Sequence, residues 1–136
     1  MVQIDIAYQG NIRCQAVHAE SGAAVLTDAP KDNQGNGESF SPTDLVATAL
    51  GTCMLTIMGI VAKRANIDLA RATVRVQKEM ASTPVRRIAR LTVEIHVPTS
   101  VPVEMRPQLE RAALGCPVAK CLHPDIEIPV VFSWDQ

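Results

Sequence analysis

Aromatic side chains are scarce in this chain: one Trp, one Tyr and two Phe make up 3% of its 136 residues. So few rings leave no stacking platform for single-stranded nucleic acid, and the core has to be built from Val, Ile, Leu, Ala and Met. An excess of charge of either sign is also missing. The formal net charge is −1, with Lys and Arg spread along the chain. No basic stripe stands ready to neutralise phosphates, so no nucleic-acid partner is expected. No CxxC pair occurs, and His18, His96 and His123 are scattered, which argues against a metal centre. The longest apolar stretch, around residues 55 to 62, is too short to span a bilayer. The first residues lack the charged, apolar and cleavage regions of a secretory leader. A cytoplasmic location without membrane association is the resulting expectation.

What the sequence does contain is patterned for one domain over residues 1–136, long enough to hide roughly two-thirds of its unfolded surface. Val2, Ile4, Ile6 and Tyr8 alternate with Gln3, Asp5 and Ala7, and Ile12, Cys14 and Ala16 alternate again beyond the Gly10-Asn11 turn signal. With residues 23–27 they predict a three-strand antiparallel meander. Residues 29–40 (APKDNQGNGESF) read as a mobile loop. Ser41-Pro42-Thr43-Asp44 then opens a helix: Ser41 caps, Pro42 suits the first position and Asp44 completes a capping box. Lys63 and Arg64 suit its C-terminus. Residues 45–62 are apolar almost all round, which means burial on most sides. A domain this small rarely hides such a helix alone, so a second subunit is expected to cover it in a homodimer.

Two strands follow, the first over Ala72, Val74 and Val76, the second from Ile88 to Val97 with a bulge near Ala89-Arg90. Ser82-Thr83-Pro84 joins them. A helix over about residues 103–114, a short helical turn from Cys116-Pro117 to Leu122, and a last strand over residues 126–134 complete the chain. Pro129 interrupts that strand and assigns it to an edge. The class is α+β, with strands gathered before and after a central helix.

Chemistry points to the cysteines, Cys14, Cys53, Cys116 and Cys121. In a cytosolic protein these rest reduced, and disulfides that form and break are the usual role of a pair. Gly115-Cys116-Pro117 sets a thiol at the cap of a helix, where free backbone N–H groups, the dipole and Lys120 favour a thiolate. Burial as a small hydrophobe is the equally weighted reading. Cys53 lies mid-helix among apolar neighbours, a setting that favours a core role unless a charge activates it. Arg13 is the candidate charge, permanently protonated and carrying a fork of donors, although a solvated arginine on an outer sheet face is the simpler reading. Glu38 in the loop and Asp44 at the helix start are the candidate acids. Asp44 lies about half a turn around an ideal helix from Cys53 and is first of all a capping residue. Cys14 and Cys121 look secondary.

The segments SPTDLVATALGTC (residues 41–53) and CPVAKCLHPDIEIPV (residues 116–130) resemble the central-helix and second-cysteine motifs of the OsmC/Ohr superfamily. The order of elements is similar over nearly the whole chain. The resemblance implies an OsmC-like fold, an antiparallel sheet with a long buried central helix in an intertwined homodimer. It implies a thiol-dependent peroxidase that reduces organic hydroperoxides in stress defence without metal, flavin or other cofactor. Cys53 would attack the peroxide and pass through a sulfenic acid, Cys116 would close the disulfide, and a dithiol reductant of lipoyl type would reopen it. In the peroxidase branches a Glu follows the motif proline and pairs with an activating Arg. Here Thr43 stands at that position, so the chain resembles a less characterised branch, and Arg13 matches the family arginine loosely. Two other readings stay open: a non-catalytic dimer of this fold that binds an apolar small molecule, and a redox-sensing interaction protein.

Overall fold

A computed structural model describes residues 1–98 and 100–135. Contacts divide the chain into two compact units, Met1–Val46 and Ala47–Gln136.

The first unit holds the meander. Strands β1 (Ile4–Gly10), β2 (Arg13–His18) and β3 (Ala24–Thr27) form an antiparallel sheet in that order. The first connection turns on Asn11 and Ile12, both left-handed with φ of 53° and 61°, a backbone that matches the twist of a two-residue hairpin. Ile12 therefore leaves the strand that its alternation assigns it to, and Arg13 is the first residue of β2. By the two-residue period of a strand, Ile4, Ile6 and Tyr8 share one face of β1. That face is bare: Ile6 and Tyr8 are each 68% exposed.

Residues 29–40 hold more local structure than their composition suggests. They fold back on themselves around a 3-10 turn, Lys31–Asn33. The amides of Asn33 and Gly35 both donate to the Pro30 carbonyl at 2.9 and 3.0 Å, and the Asp28 amide donates to Phe40 at 3.0 Å. Gly35 is obligatory there, since a Cβ would lie 1.7 Å from the Ala29 carbonyl oxygen. The Gly, Asn and Asp content serves turns that satisfy their own backbone.

Helix α1 (Pro42–Arg64) starts on the expected capping box and ends on Lys63 and Arg64. Ser41 Oγ accepts from the Asp44 amide at 3.1 Å, and an Asp44 carboxylate oxygen accepts from the Ser41 amide at 2.8 Å. In the second unit β4 (Thr73–Ala81) pairs antiparallel with β5 (Arg87–Val97), and β6 (Val130–Trp134) lies along the other side of β5 as the one parallel neighbour. The register slips between Glu79 and Met80, whose partners are Arg90 and Ile88, so Ala89 bulges where the sequence places a bulge. Strand β6 begins only after Pro129, which has no N–H to give a ladder. The second helix comes in two pieces, a 3-10 turn (Val103–Met105) and α2 (Arg106–Leu114), before the short α3 (Pro117–Cys121). Trp134 ties β6 to α2: its indole donates to Glu110 at 2.9 Å and lies 5.6 Å below the Arg106 guanidinium.

The core of this unit is drawn from one stripe of α1, the alternate residues of β5, and α2. Leu50, Met54, Met58, Leu91, Val93, Ile95, Val97 and Leu109 are all but inaccessible. Ala47, Leu50, Gly51, Met54, Met58 and Ala62 are the buried positions of α1, three or four residues apart as one helical face requires. Leu45, Val46, Ala49, Leu55, Ile57 and Val61 are only part-buried, and Ile60 is 44% exposed. The stretch at residues 55–62 understates the apolar length of α1. The whole helix, with a mean hydropathy of 2.1 over its best 18-residue window, is long and apolar enough by length and composition to cross a membrane. Thr and Gly interrupt the run without adding charge, and the core helix of a soluble protein meets the same test.

Candidate active site

The second unit brings two of the four cysteines together. Cys53, halfway along α1, is part-buried, and Cys116, the residue before α3, is 0% exposed. The Cys53 side chain is the hydrogen-bonding and electrostatic neighbour of Cys116. Both are free thiols, as are Cys14 and Cys121.

Cys116 takes the capping geometry that its sequence position implies. Its backbone is extended, and its Sγ accepts from the Ala119 amide at 3.4 Å. Of the two evenly weighted readings, burial prevails. Burial, the largest influence, pushes the thiol up. The amides of Ala119 and Val118 pull it down, and the neighbouring Cys53 pushes it up again, leaving it above the ordinary cysteine value. A helix of five residues offers a weak dipole and few free amides, too little to offset the loss of water around a thiolate. Lys120, expected to add positive charge, is exposed and is not among the groups that move the thiol.

The candidate charge and acids lie in the first unit. Arg13 is held by acids, with its side chain still 37% exposed. Its Nη2 makes a close ion pair with Glu38 and sits 3.5 Å from an Asp28 oxygen. Asp28 is the member of this cluster that sequence reasoning missed. Its side chain is 1% exposed and accepts from the amides of Ala29 at 2.8 Å and Glu38 at 3.1 Å. The Glu38 amide, then the Ala29 amide and the Arg13 charge, hold its carboxyl below the usual range against the effect of burial. Glu38, by hydrogen bond and charge, raises the Arg13 guanidinium further. The available signal was weak: an Asp where a strand meets a Gly-rich loop is a common acceptor for loop amides. Asp44 serves the helix cap described above. Cys14 lies in β2 opposite Tyr8 and Thr27, and Cys121 is exposed.

Among the described residues, no cluster of three or more His, Cys, Asp or Glu side chains is placed to hold a metal ion. A separate open groove of 620 Å³ follows the C-terminal half of α1, lined among others by Leu55, Gly59, Ala62, Ile67 and Leu69. What the thiol pair can do chemically is limited and specific. It can lose two electrons to an oxidant and close a disulfide.

Comparison with known proteins agrees with the sequence motifs. The sequence profile of OsmC-like proteins matches residues 35–130. A solved structure from Psychrobacter arcticus 273-4, described as a candidate osmotic stress induced and detoxification response protein, is 45% identical. It superposes with a TM-score of 0.91 over 97% of this chain and 96% of that one. An organic hydroperoxide resistance protein OsmC from Legionella pneumophila shares the fold at 15% identity, with a TM-score of 0.77 over 98% and 96% of the two chains. One from Elizabethkingia anophelis does so at 19%, with a TM-score of 0.76 over 99% and 98%. No protein of curated function matches.

Proposed function

The chain belongs to the OsmC-like protein family of the OsmC/Ohr superfamily, and on that premise we propose that it is a cytoplasmic, thiol-dependent peroxidase acting on organic hydroperoxides. The observation that carries this reading is the adjacency of Cys53 and Cys116. In the proposed reaction the Cys53 thiolate attacks a peroxide oxygen, the O–O bond breaks, and the alcohol departs, leaving a sulfenic acid. Cys116 attacks that sulfur, water leaves, and the disulfide waits for a dithiol reductant, of lipoyl type by family resemblance. Two local facts support this division of labour: Cys116 is the fully buried member, and its thiol is held up, not down.

Arg13 and Glu38 pair with each other in the first unit, and the proposed reaction rests on the thiol pair alone. Asp44 is left to the helix cap. The working unit is a homodimer, which gives the bare apolar face of β1 and the uncovered side of α1 a partner.

The test is consumption of cumene hydroperoxide with dihydrolipoamide as the dithiol. Wild type turns over, and Cys53→Ser loses turnover at least a thousand-fold, the scale of removing a nucleophile (about 4 kcal/mol of transition-state stabilisation,). A Cys53→Ser protein with full activity refutes the assignment.

A further inference from the structure

The open groove beside the C-terminal half of α1 lies apart from the thiol pair. At about 100° per residue, Leu55 and Gly59 fall on one flank of the buried stripe of α1, and Cys53, Ile57 and Ile60 fall on the other. Leu55 points about 160° away from Cys53 on an ideal helix. A second subunit seated on Ile57 and Ile60 leaves the groove flank open. We propose that this groove is a second binding site, for a small amphipathic carboxylate with an unbranched acyl chain.

The groove is shaped by the way α1 ends. Asn66 takes a left-handed backbone, with φ of 56°, and closes the helix in a Schellman turn. The Ile67 amide donates to the Ala62 carbonyl at 2.8 Å, and the Asn66 amide to the Lys63 carbonyl at 3.2 Å. Those bonds occupy the carbonyls of residues 62 and 63, and Leu55, Ala62, Ile67 and Leu69 give the groove an apolar lining. Gly59 is its opening. A glycine in a helix interior is unfavourable relative to alanine, and at Gly51 that cost accompanies the close approach of Val76. Gly59 has no such neighbour: beyond the backbone of its own helix, nothing lies within 4 Å of where a Cβ would stand. A missing side chain of this kind lets a ligand approach the backbone closely.

Charge at the rim selects the ligand. Lys63 and Asp68 are the charged side chains that line the groove. Asp68 is tied to its own turn, its Oδ1 accepting from the Ala70 amide at 2.8 Å. Lys63 is exposed and stands in no ion pair among the described residues. A free cation at one end of an apolar lining suits a carboxylate with a hydrocarbon tail. The tail is removed from water against Leu55, Ala62 and Ile67, and the carboxylate meets the Lys63 ammonium. From Leu55 to Lys63 the helix rises about 12 Å, which suits a chain of decanoate length. The cavity of 620 Å³ falls within the range of small-molecule sites.

The experiment titrates decanoate, kept below its micelle concentration, into the full chain and follows backbone amide shifts by NMR. Saturable shifts are expected at Gly59 and Ile67. Gly59→Leu fills the opening with a better helix former, so the far-ultraviolet spectrum should be kept while affinity falls about ten-fold or more, the scale of losing one well-filled apolar contact. Lys63→Gln should weaken decanoate about five-fold, the upper range for an exposed ion pair, and leave decanol, the uncharged analogue, unchanged. Absence of saturable binding to wild type overturns the site, and so does a Gly59→Leu protein that binds as wild type does. Equal affinity of wild type for decanol and decanoate overturns the carboxylate assignment. If Gly59→Leu shifts the subunit equilibrium and decanoate binds neither protein, a second copy of the chain fills the groove and the proposal falls. No peroxide enters the titration, so decanoate binding stands or fails independently of hydroperoxide turnover.

Discussion

Gly51 is where the second unit is most tightly built, and replacing it with Ala sets two effects of opposite sign against each other. On helix propensity alone Gly51→Ala should stabilise a mid-helix position by about 1 kcal/mol. The packing says otherwise. A Cβ at residue 51 would lie 2.8 Å from Val76 Cγ2 and 3.3 Å from Val74 Cγ1, where carbon atoms prefer roughly 3.5–4.0 Å. Neither valine can give way easily. Both are β-branched with a stiff χ1, and both stand on β4, so relief requires α1 to lift off the sheet. Overpacking of this kind costs about 1–3 kcal/mol. The packing term wins, and the net expectation is a loss of about 1 kcal/mol.

Urea unfolding at fixed protein concentration measures it: the midpoint should fall by roughly 0.5 M with an unchanged slope. The mechanism has its own check, because Val76→Ala removes the methyl that is struck. In the double variant the Gly51 penalty should shrink, giving a favourable coupling of about 1 kcal/mol in a double-mutant cycle. A Gly51→Ala protein that is more stable than wild type, with effects that add to those of Val76→Ala, refutes the reasoning. It would mean that α1 does not approach β4 as closely as described.

Two further substitutions test the first unit and the helix start. Ser41→Ala removes a capping oxygen on a residue 1% exposed, which accepts from the Asp44 amide. It should cost about 1–2 kcal/mol in urea unfolding, and no measurable loss would show that the cap is dispensable. Asp28→Asn should loosen residues 29–40, read as faster amide exchange at Ala29 and Glu38, whose amides the carboxylate now accepts. The pH dependence follows from the direction of its shift: the folded carboxyl titrates below the usual range. Its stabilising contribution is therefore complete above the unfolded value of about 3.9 and disappears as pH falls through the lower folded value. Exchange at those amides, corrected for intrinsic rate, should accelerate in wild type only on that acid limb. Asp28→Asn should show the fast behaviour already at neutral pH, and equal rates in the two proteins would exclude the carboxylate as the loop's anchor.

The elements were legible in the sequence because each carries local punctuation. Ser41-Pro42-Thr43-Asp44 fixes the start of α1 to the residue, since capping is decided within four positions. The break in alternation between Ile88 and Leu91 announces the bulge opposite Glu79 and Met80. The loop at residues 29–40 showed none of its internal hydrogen bonds in the sequence, for the same local reason. Its composition is that of a flexible segment, and what orders it is an Asp28 carboxylate that receives an amide ten residues onward, a distance at which no local pattern operates. The apolar surround of α1 was legible too, but composition reports only that a helix needs covering, and within the chain a single stripe is fully buried.

Cys116 marks the limit most sharply, because the motif is right and leaves an activated and a buried thiol evenly weighted. Sequence position gives the N-cap, and the cap bond from Ala119 is there at 3.4 Å. A cap bond and a short dipole each favour the thiolate by an amount set locally, of order 1 kcal/mol. Desolvation is set by whatever packs over the sulfur from elsewhere in the chain, and for a fully buried group it can move a pKa by several units. The larger effect is the one that sequence does not display. It raises Cys116, while Cys53, in its apolar helical setting, stays part-buried. Where a thiol motif sits at the cap of a helix of about one turn, its reactivity is therefore decided by burial and by the neighbouring sulfur, and the motif itself specifies only where the thiol points.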